Sequence, residues 1–233
     1  MKLRKLIFSV AMIFAVASSK AEQNPIDSLK KILATQAEDS NKVNTLIEVS
    51  KKYRSLPDSE MVYAEKARAL AEKINFQKGL GYALKEIGIA FNTRADYVNA
   101  LQVWQQALAI FESEGIKVGV ANMQNNIGSV YYSKGIEDSA QEYYLRSLKA
   151  SEAILDTYRI ATALMNLGTI YSNKTATLDK ALEIYYRALP LNIAIKDIDI
   201  ENLGTNQVNI GEIYLRKNQS VDTARSEEHT SEL

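Results

Sequence analysis

The sequence predicts an all-α fold: a right-handed α-solenoid of antiparallel helix pairs, repeating roughly every 40 residues, in about five units of which the last is incomplete. The first observation is a phrase written three times. Asn-Ile-Gly-Ser-Val-Tyr stands at 126–131, Asn-Leu-Gly-Thr-Ile-Tyr at 166–171 and Asn-Ile-Gly-Glu-Ile-Tyr at 209–214, with a looser copy, Glu-Ile-Gly-Ile-Ala-Phe, at 86–91. Its glycines, Gly88, Gly128, Gly168 and Gly211, are 40, 40 and 43 residues apart. The second observation is that each copy shows the three-and-four spacing of an amphipathic helix twice, with a turn between. A unit this small cannot bury its own apolar face and must stack on its neighbours.

Taken in chain order, Ile26, Leu29, Ile32 and Leu33 read as a short amphipathic helix that caps the open end, within a cap-and-linker segment 22–44. The first unit is degenerate: Leu46, Val49, Ser50 and Tyr53, a turn at Pro57-Asp58, then Ala64, Ala67, Leu70 and Ala71. In the second, Tyr82, Leu84, Ile87, Ala90 and Phe91 share one helical face. Asn92 to Asp96 breaks the pattern, and Ala100, Leu101, Trp104, Ala107, Leu108 and Phe111 resume it. The third unit turns at Lys134-Gly135 and the fourth between Asn173 and Thr177. The phrase at 209–214 opens a fifth pair whose second helix begins at Val221 to Ala224. Pro190 falls inside a predicted second helix and is expected to kink it or end it early.

A glycine inside a helix costs about 1 kcal/mol relative to alanine, so its recurrence needs a reason. The register places Gly88, Gly128 and Gly168 where the two helices of a pair cross, opposite Ala100, Ala140 and Ala181, with the aromatics at 91, 131 and 171 filling the space one turn along. A glycine-rich phosphate loop does not account for them, because none follows a strand pattern.

These positions resemble the tetratricopeptide repeat. The third copy supplies the pattern as Ile127, Gly128, Tyr131, Ala140, Tyr144 and Ser147. The second supplies Gly88, Ala100 and Trp104, the fourth Gly168, Tyr171, Ala181 and Tyr185, and the fifth Gly211 and Tyr214. The resemblance covers roughly 45–224, with a period nearer 40 than the usual 34 residues and no proline closing each unit. It implies a concave face lined by first helices that holds a peptide or protein. On that face the register puts Tyr82, Lys85 and Ile89, then Asn122, Asn125, Ser129 and Tyr132, then Thr162, Met165, Thr169 and Ser172, with Asn126, Asn166 and Asn209 at the edge. Two readings of the asparagines stay open: their amides pair with a ligand's main chain, or they bridge neighbouring helices. Of the lysine and asparagine set with which some members of the family clamp a terminal carboxylate, Lys85 and Asn126 match, while Ile89 and Thr162 do not. The pairs Tyr131-Tyr132, Tyr143-Tyr144 and Tyr185-Tyr186 each place one tyrosine in the core register and leave the other for contact.

The ends read differently from the middle. Lys2, Arg4 and Lys5, an apolar run from Leu6 to Ala17, and small residues at Ser19 and Ala21 read as a secretory signal, 1–21, cleaved after Ala21. The apolar run spans about 18 Å as a helix, short of a ~30 Å hydrocarbon core. The last nine residues, 225–233, resemble the translation of a common sequencing adapter, so the natural chain is expected to continue past Ala224 and His229 is not counted as natural. Setting both ends aside removes five basic and three acidic residues and leaves 23 and 25, a balance without a footprint for nucleic acid or anionic lipid.

With no cysteine and no natural histidine, His- or Cys-based nucleophiles and the usual metal clusters are excluded. Carboxylates such as Glu137, Asp138, Asp197 and Asp199 sit at predicted helix starts, where capping explains them. No catalytic residue, metal or cofactor is expected. The chain reads as a non-catalytic scaffold for a protein or peptide, exported and periplasmic, able to self-associate through its broken end. A signal followed by such repeats resembles the amino-terminal regions of Bacteroidetes-type signalling proteins, which continue into a membrane helix and a kinase, cyclase or DNA-binding module. The alternative is a free-standing secreted scaffold.

Overall fold

The computed structural model describes residues 25–195 and 199–231, with side chains through Gln219. The expected signal segment and Asp197 lie outside the described residues, as do the side chains of Val221 to Ala224 and of His229. Among those described, the chain is all helical: α1 (Pro25–Thr35), α2 (Ser40–Lys52), α3 (Pro57–Lys73), α4 (Gln77–Thr93), α5 (Tyr97–Ser113), α6 (Lys117–Ser133), α7 (Glu137–Glu152), α8 (Thr157–Ser172), α9 (Leu178–Ala194) and α10 (Ile200–Ser231). A single 3₁₀ turn, Thr175–Thr177, joins α8 to α9. Each helix packs on the next in sequence, and the first helices of adjacent pairs also touch. This is the stacking of a solenoid.

The turns keep a stricter clock than the helices. Asn75, Ala95, Gly115, Gly135 and Leu155, each 20 residues after the last, all adopt a left-handed backbone with φ between 54° and 72°. The amide that follows each of them donates to the carbonyl five residues back: Phe76 to Ala71, Asp96 to Phe91, Ile116 to Phe111, Ile136 to Tyr131 and Asp156 to Ser151, at 2.8–3.1 Å. This closure helps to satisfy carbonyls at the helix ends, which lack the partners of the helix interior. The 40-residue repeat is therefore two equal 20-residue helix-turn steps. The clock stops at Thr175, where the 3₁₀ turn takes its place, and the glycine spacing lengthens to 43 in the same region.

Three expectations are corrected. First, the phrase glycines do not face alanines. A Cβ on Gly88 would lie 2.1 Å from Trp104 Nε1, one on Gly128 2.8 Å from the Tyr144 ring and one on Gly168 2.5 Å from the Tyr185 ring. Glycine here seats an aromatic from the second helix, and the alanine one turn earlier lies at 0% exposure in the same core. Second, α9 does not end early: it runs four residues past Pro190. Pro190 and Tyr186, whose carbonyl loses its helical partner, are both exposed, so water can take that bond. Third, no second helix separates in the fifth unit, because α10 continues unbroken to Ser231. Leu215, Arg216, Lys217 and Gln219 are good helix formers, and the stretch holds neither glycine nor proline to turn the chain.

Candidate functional site: a polar cleft on the first helices

The first helices bring together residues that lie far apart in sequence. Arg54, Lys85, Ile89, Asn122, Asn125, Asn126, Tyr158, Arg159 and Thr162 line one cleft of about 310 Å³, with Ala121 and Ser147 at its base. Arg54 comes from the α2–α3 turn, Lys85 and Ile89 from α4, the asparagines from α6, and the last three from α8. The cleft thus crosses four successive units.

The asparagines are held in place. Arg159 Nε donates to Asn122 Oδ1 at 2.8 Å, while its guanidinium also pairs with Asp156, the cap of its own helix. Asn166 Nδ2 donates to Asn125 Oδ1 at 2.8 Å, joining α8 to α6. Asn209 Nδ2 donates to the Tyr185 hydroxyl at 3.1 Å. Asn166 and Asn209 therefore bridge helices, and Asn126 lines the cleft beside Asn122 and Asn125.

Other residues of the expected concave face make contacts within the chain. Ser129 Oγ accepts from the Tyr144 hydroxyl at 3.1 Å, and Thr169 Oγ1 pairs with the Tyr185 hydroxyl at 3.2 Å. Burial pushes both phenols above their ordinary value, and these bonds oppose the shift. In the second unit the ring is indole, the residue after glycine is Ile89, and Trp104 Nε1 donates to the Lys85 carbonyl at 3.0 Å. Met165 is buried, and Thr162 Oγ1 bonds back to the Tyr158 carbonyl. Tyr82 packs edge-on against Phe111 at 5.0 Å, and Tyr132 is half-buried against the core of the fourth unit. Tyr143 stacks on Tyr131 at 5.5 Å, whereas Tyr186 is exposed and meets the Tyr214 hydroxyl at 3.1 Å. Nothing lies within 4 Å of a Cβ placed on Gly211. Among the capping carboxylates, Asp199 accepts from the Asn202 amide at 3.0 Å.

Behind the cleft wall lie two acids that sequence reasoning missed. Glu60 and Glu86 are both fully buried. Arg54 Nη2 hydrogen-bonds Glu86 Oε2, and Lys85 Nζ is 2.9 Å from Glu86 Oε1. Arg54 Nε stands 3.3 Å from Glu60 Oε1, within ion-pair distance but without hydrogen-bond alignment, and neither Glu60 oxygen has a hydrogen-bond partner. Burial pushes Glu60 up to about 7 despite the nearby Arg54. The repeat register held a signal for both acids. Glu60 occupies the column of Ala100 and Ala140, and Glu86 that of Asn126 and Asn166, so each puts a charge where other units keep a neutral side chain.

Among the described residues, no group of three or more His, Cys, Asp or Glu is placed to hold a metal, and no helix is long and apolar enough to cross a membrane.

Residues 119–192 match the family described as Tetratricopeptide repeat. The uncharacterized protein ycf37 of Guillardia theta is 32% identical over 125 residues, which cover 54% of this chain and 66% of that protein. Aspartyl phosphate phosphatase F from Bacillus subtilis superposes with a TM-score of 0.70 at 17% identity, over 85% of this chain and 53% of that one. A Rap protein complexed with competence and sporulation factor gives 0.70 at 20% identity, over 88% and 62%. The chain thus spans just under two thirds of the curated relative and about half of the phosphatase. It is a tetratricopeptide-like solenoid of helix pairs, and its residues 119–192 match the tetratricopeptide repeat family itself.

Proposed function

We propose that the chain is a non-catalytic scaffold that holds an extended protein or peptide segment along its first helices. The observation that carries this reading is the cleft shared by four units, in which Lys85, Asn126 and Arg159 supply donors and the asparagine also an acceptor, the chemistry a peptide main chain needs. The Rap structure of similar fold, complexed with a factor, supports the same use of the architecture. A random peptide library selected on the immobilised chain should enrich sequences whose binding falls about tenfold in Asn126→Ala and in Arg159→Ala. Enriched peptides indifferent to both substitutions would overturn the reading.

In its finer form, the scaffold is exported and serves as the periplasmic sensing or interaction segment of a longer bacterial signalling protein. The basic head and apolar run at 1–21 support export. Residues 1–30 fused to alkaline phosphatase, which is active only outside the cytoplasm, should give activity. Loss of that activity when Leu6 to Ala17 is deleted checks the cause, and an inactive intact fusion would sink the assignment.

A further inference from the structure

Charge around the cleft is arranged asymmetrically. Arg54, Lys85 and Arg159 line it, and no lining residue is acidic. The balancing carboxylates stand behind the wall: Asp156 beside Arg159, and the buried pair Glu60 and Glu86 behind Arg54 and Lys85. Arg54 and Lys85 therefore open on the cleft while their counter-charges are cut off from water. The charged groups facing Glu60 are Arg54 from the α2–α3 turn and Lys85 and Glu86 from α4. Both acids draw on the same guanidinium, and Glu86 holds the hydrogen bond. A buried carboxylate without a hydrogen bond is costly to keep ionised, so Glu60 is the member of the cluster that protonates first.

Resting on the scaffold reading, we propose that the cleft receives a carboxylate of an acidic peptide segment on Arg54 and Lys85, and that Glu60 takes up a proton from solvent as it does so. An arriving carboxylate makes three around two cations. One must be neutralised, and Glu60 forfeits no hydrogen bond by it. With Glu60 ionised the cluster is neutral, and with Glu60 protonated it carries one net positive charge. Acid affinity therefore rises as pH falls. Glu60 titrates at about 7, which places this linkage between about pH 6 and about pH 8.

Titration calorimetry of the full chain with an acetylated, amidated tetraglutamate peptide tests this in two buffers of different ionisation heat. Binding is expected to be about fivefold tighter at about pH 6 than at about pH 8, with protons taken up between. In Glu60→Gln the peptide should still bind, without proton uptake and with the pH difference gone. If that variant fails to fold, carbon-13 NMR of the wild-type glutamate carboxyls replaces it: the midpoint assigned to Glu60 should rise when peptide is bound. A tetraglutamine peptide with a free carboxyl terminus, set against its amidated form, separates a chain-end carboxylate from a side-chain one. Equal binding of amidated tetraglutamine would overturn the carboxylate inference and leave the scaffold reading standing. Acidic binding without proton uptake would overturn the linkage. Failure of the acidic peptide to bind would overturn both parts, while the library selection judges the scaffold independently.

Discussion

The hydroxyl of Tyr144 donates to Ser129 Oγ at 3.1 Å across the face of Gly128, so a second-helix ring is fastened to the first helix beside a residue without a side chain. Tyr185, Thr169 and Gly168 repeat the arrangement, and Trp104 meets Gly88 with its indole bonded to the Lys85 carbonyl. The glycine, the hydroxyl residue after it and the ring about 16 residues on form one packing unit. Where the ring is indole, the hydroxyl is not needed.

This unit orders a set of glycine substitutions. Gly88→Ala places a methyl group 2.1 Å from Trp104 Nε1 and should destabilise by about 1–3 kcal/mol, as overpacked cores do. Gly211→Ala meets nothing within 4 Å inside a helix and should stabilise by up to about 1 kcal/mol. Chemical denaturation of both variants checks the opposite signs.

The buried acid makes stability depend on pH in a direction unusual for glutamate. Glu60 has its folded value raised from 4.5 to about 7, so between these limits the folded chain binds more protons than the unfolded one. Its contribution is therefore fully present below pH 4.5 and is lost as pH rises toward about 7. Glu60→Gln should stabilise the chain relative to wild type at about pH 8 and lose that advantage near pH 4.5, as read from paired thermal melts. An advantage that grows toward acid would contradict the burial argument.

Neighbouring asparagines should separate by role. Asn166→Ala removes the bond to Asn125 between α8 and α6 and should cost about 1 kcal/mol. Asn126→Ala, in the cleft wall, should leave the denaturation midpoint nearly unchanged while weakening capture of selected peptides. Equal stability losses in the two variants would remove the distinction.

The turn clock gives a stabilising change remote from the cleft. Leu155 is 85% exposed with φ of 54°, a conformation that strains a branched side chain and that Gly115 and Gly135 adopt freely at the equivalent turns. Leu155→Gly should raise stability by about 0.5–1 kcal/mol, measured by denaturant unfolding. No gain would mean that Leu155 makes a contact outweighing its strain.

The fold was legible because repetition multiplies a weak signal. One Asn-Ile-Gly phrase says little, but three in register fix helix faces, turn positions and the columns of buried alanines and aromatics. What each glycine faces was less legible. Spacing along one helix says which residues share a face, but not which ring from the next helix lands there, so alanine was expected where Trp104 and Tyr144 stand. The cleft was half legible: Lys85 and the asparagines follow from the register, whereas Arg54 sits in a turn and Glu60 in a helix that carries no copy of the phrase.

By itself, then, the sequence determined the helix-pair solenoid, its period and the first-helix face that bears Asn122, Asn125 and Asn126, because local periodicity and chain connectivity suffice for these. Tertiary structure alone decided that Asn166 bridges to Asn125, and that Ser129 and Thr169 bond buried tyrosines. It also decided that Glu60 and Glu86 stand behind Arg54 and Lys85. The physical reason is that these depend on contacts between different helices and turns, made by residues up to 41 positions apart, and on the loss of water around them, which no single helix can encode.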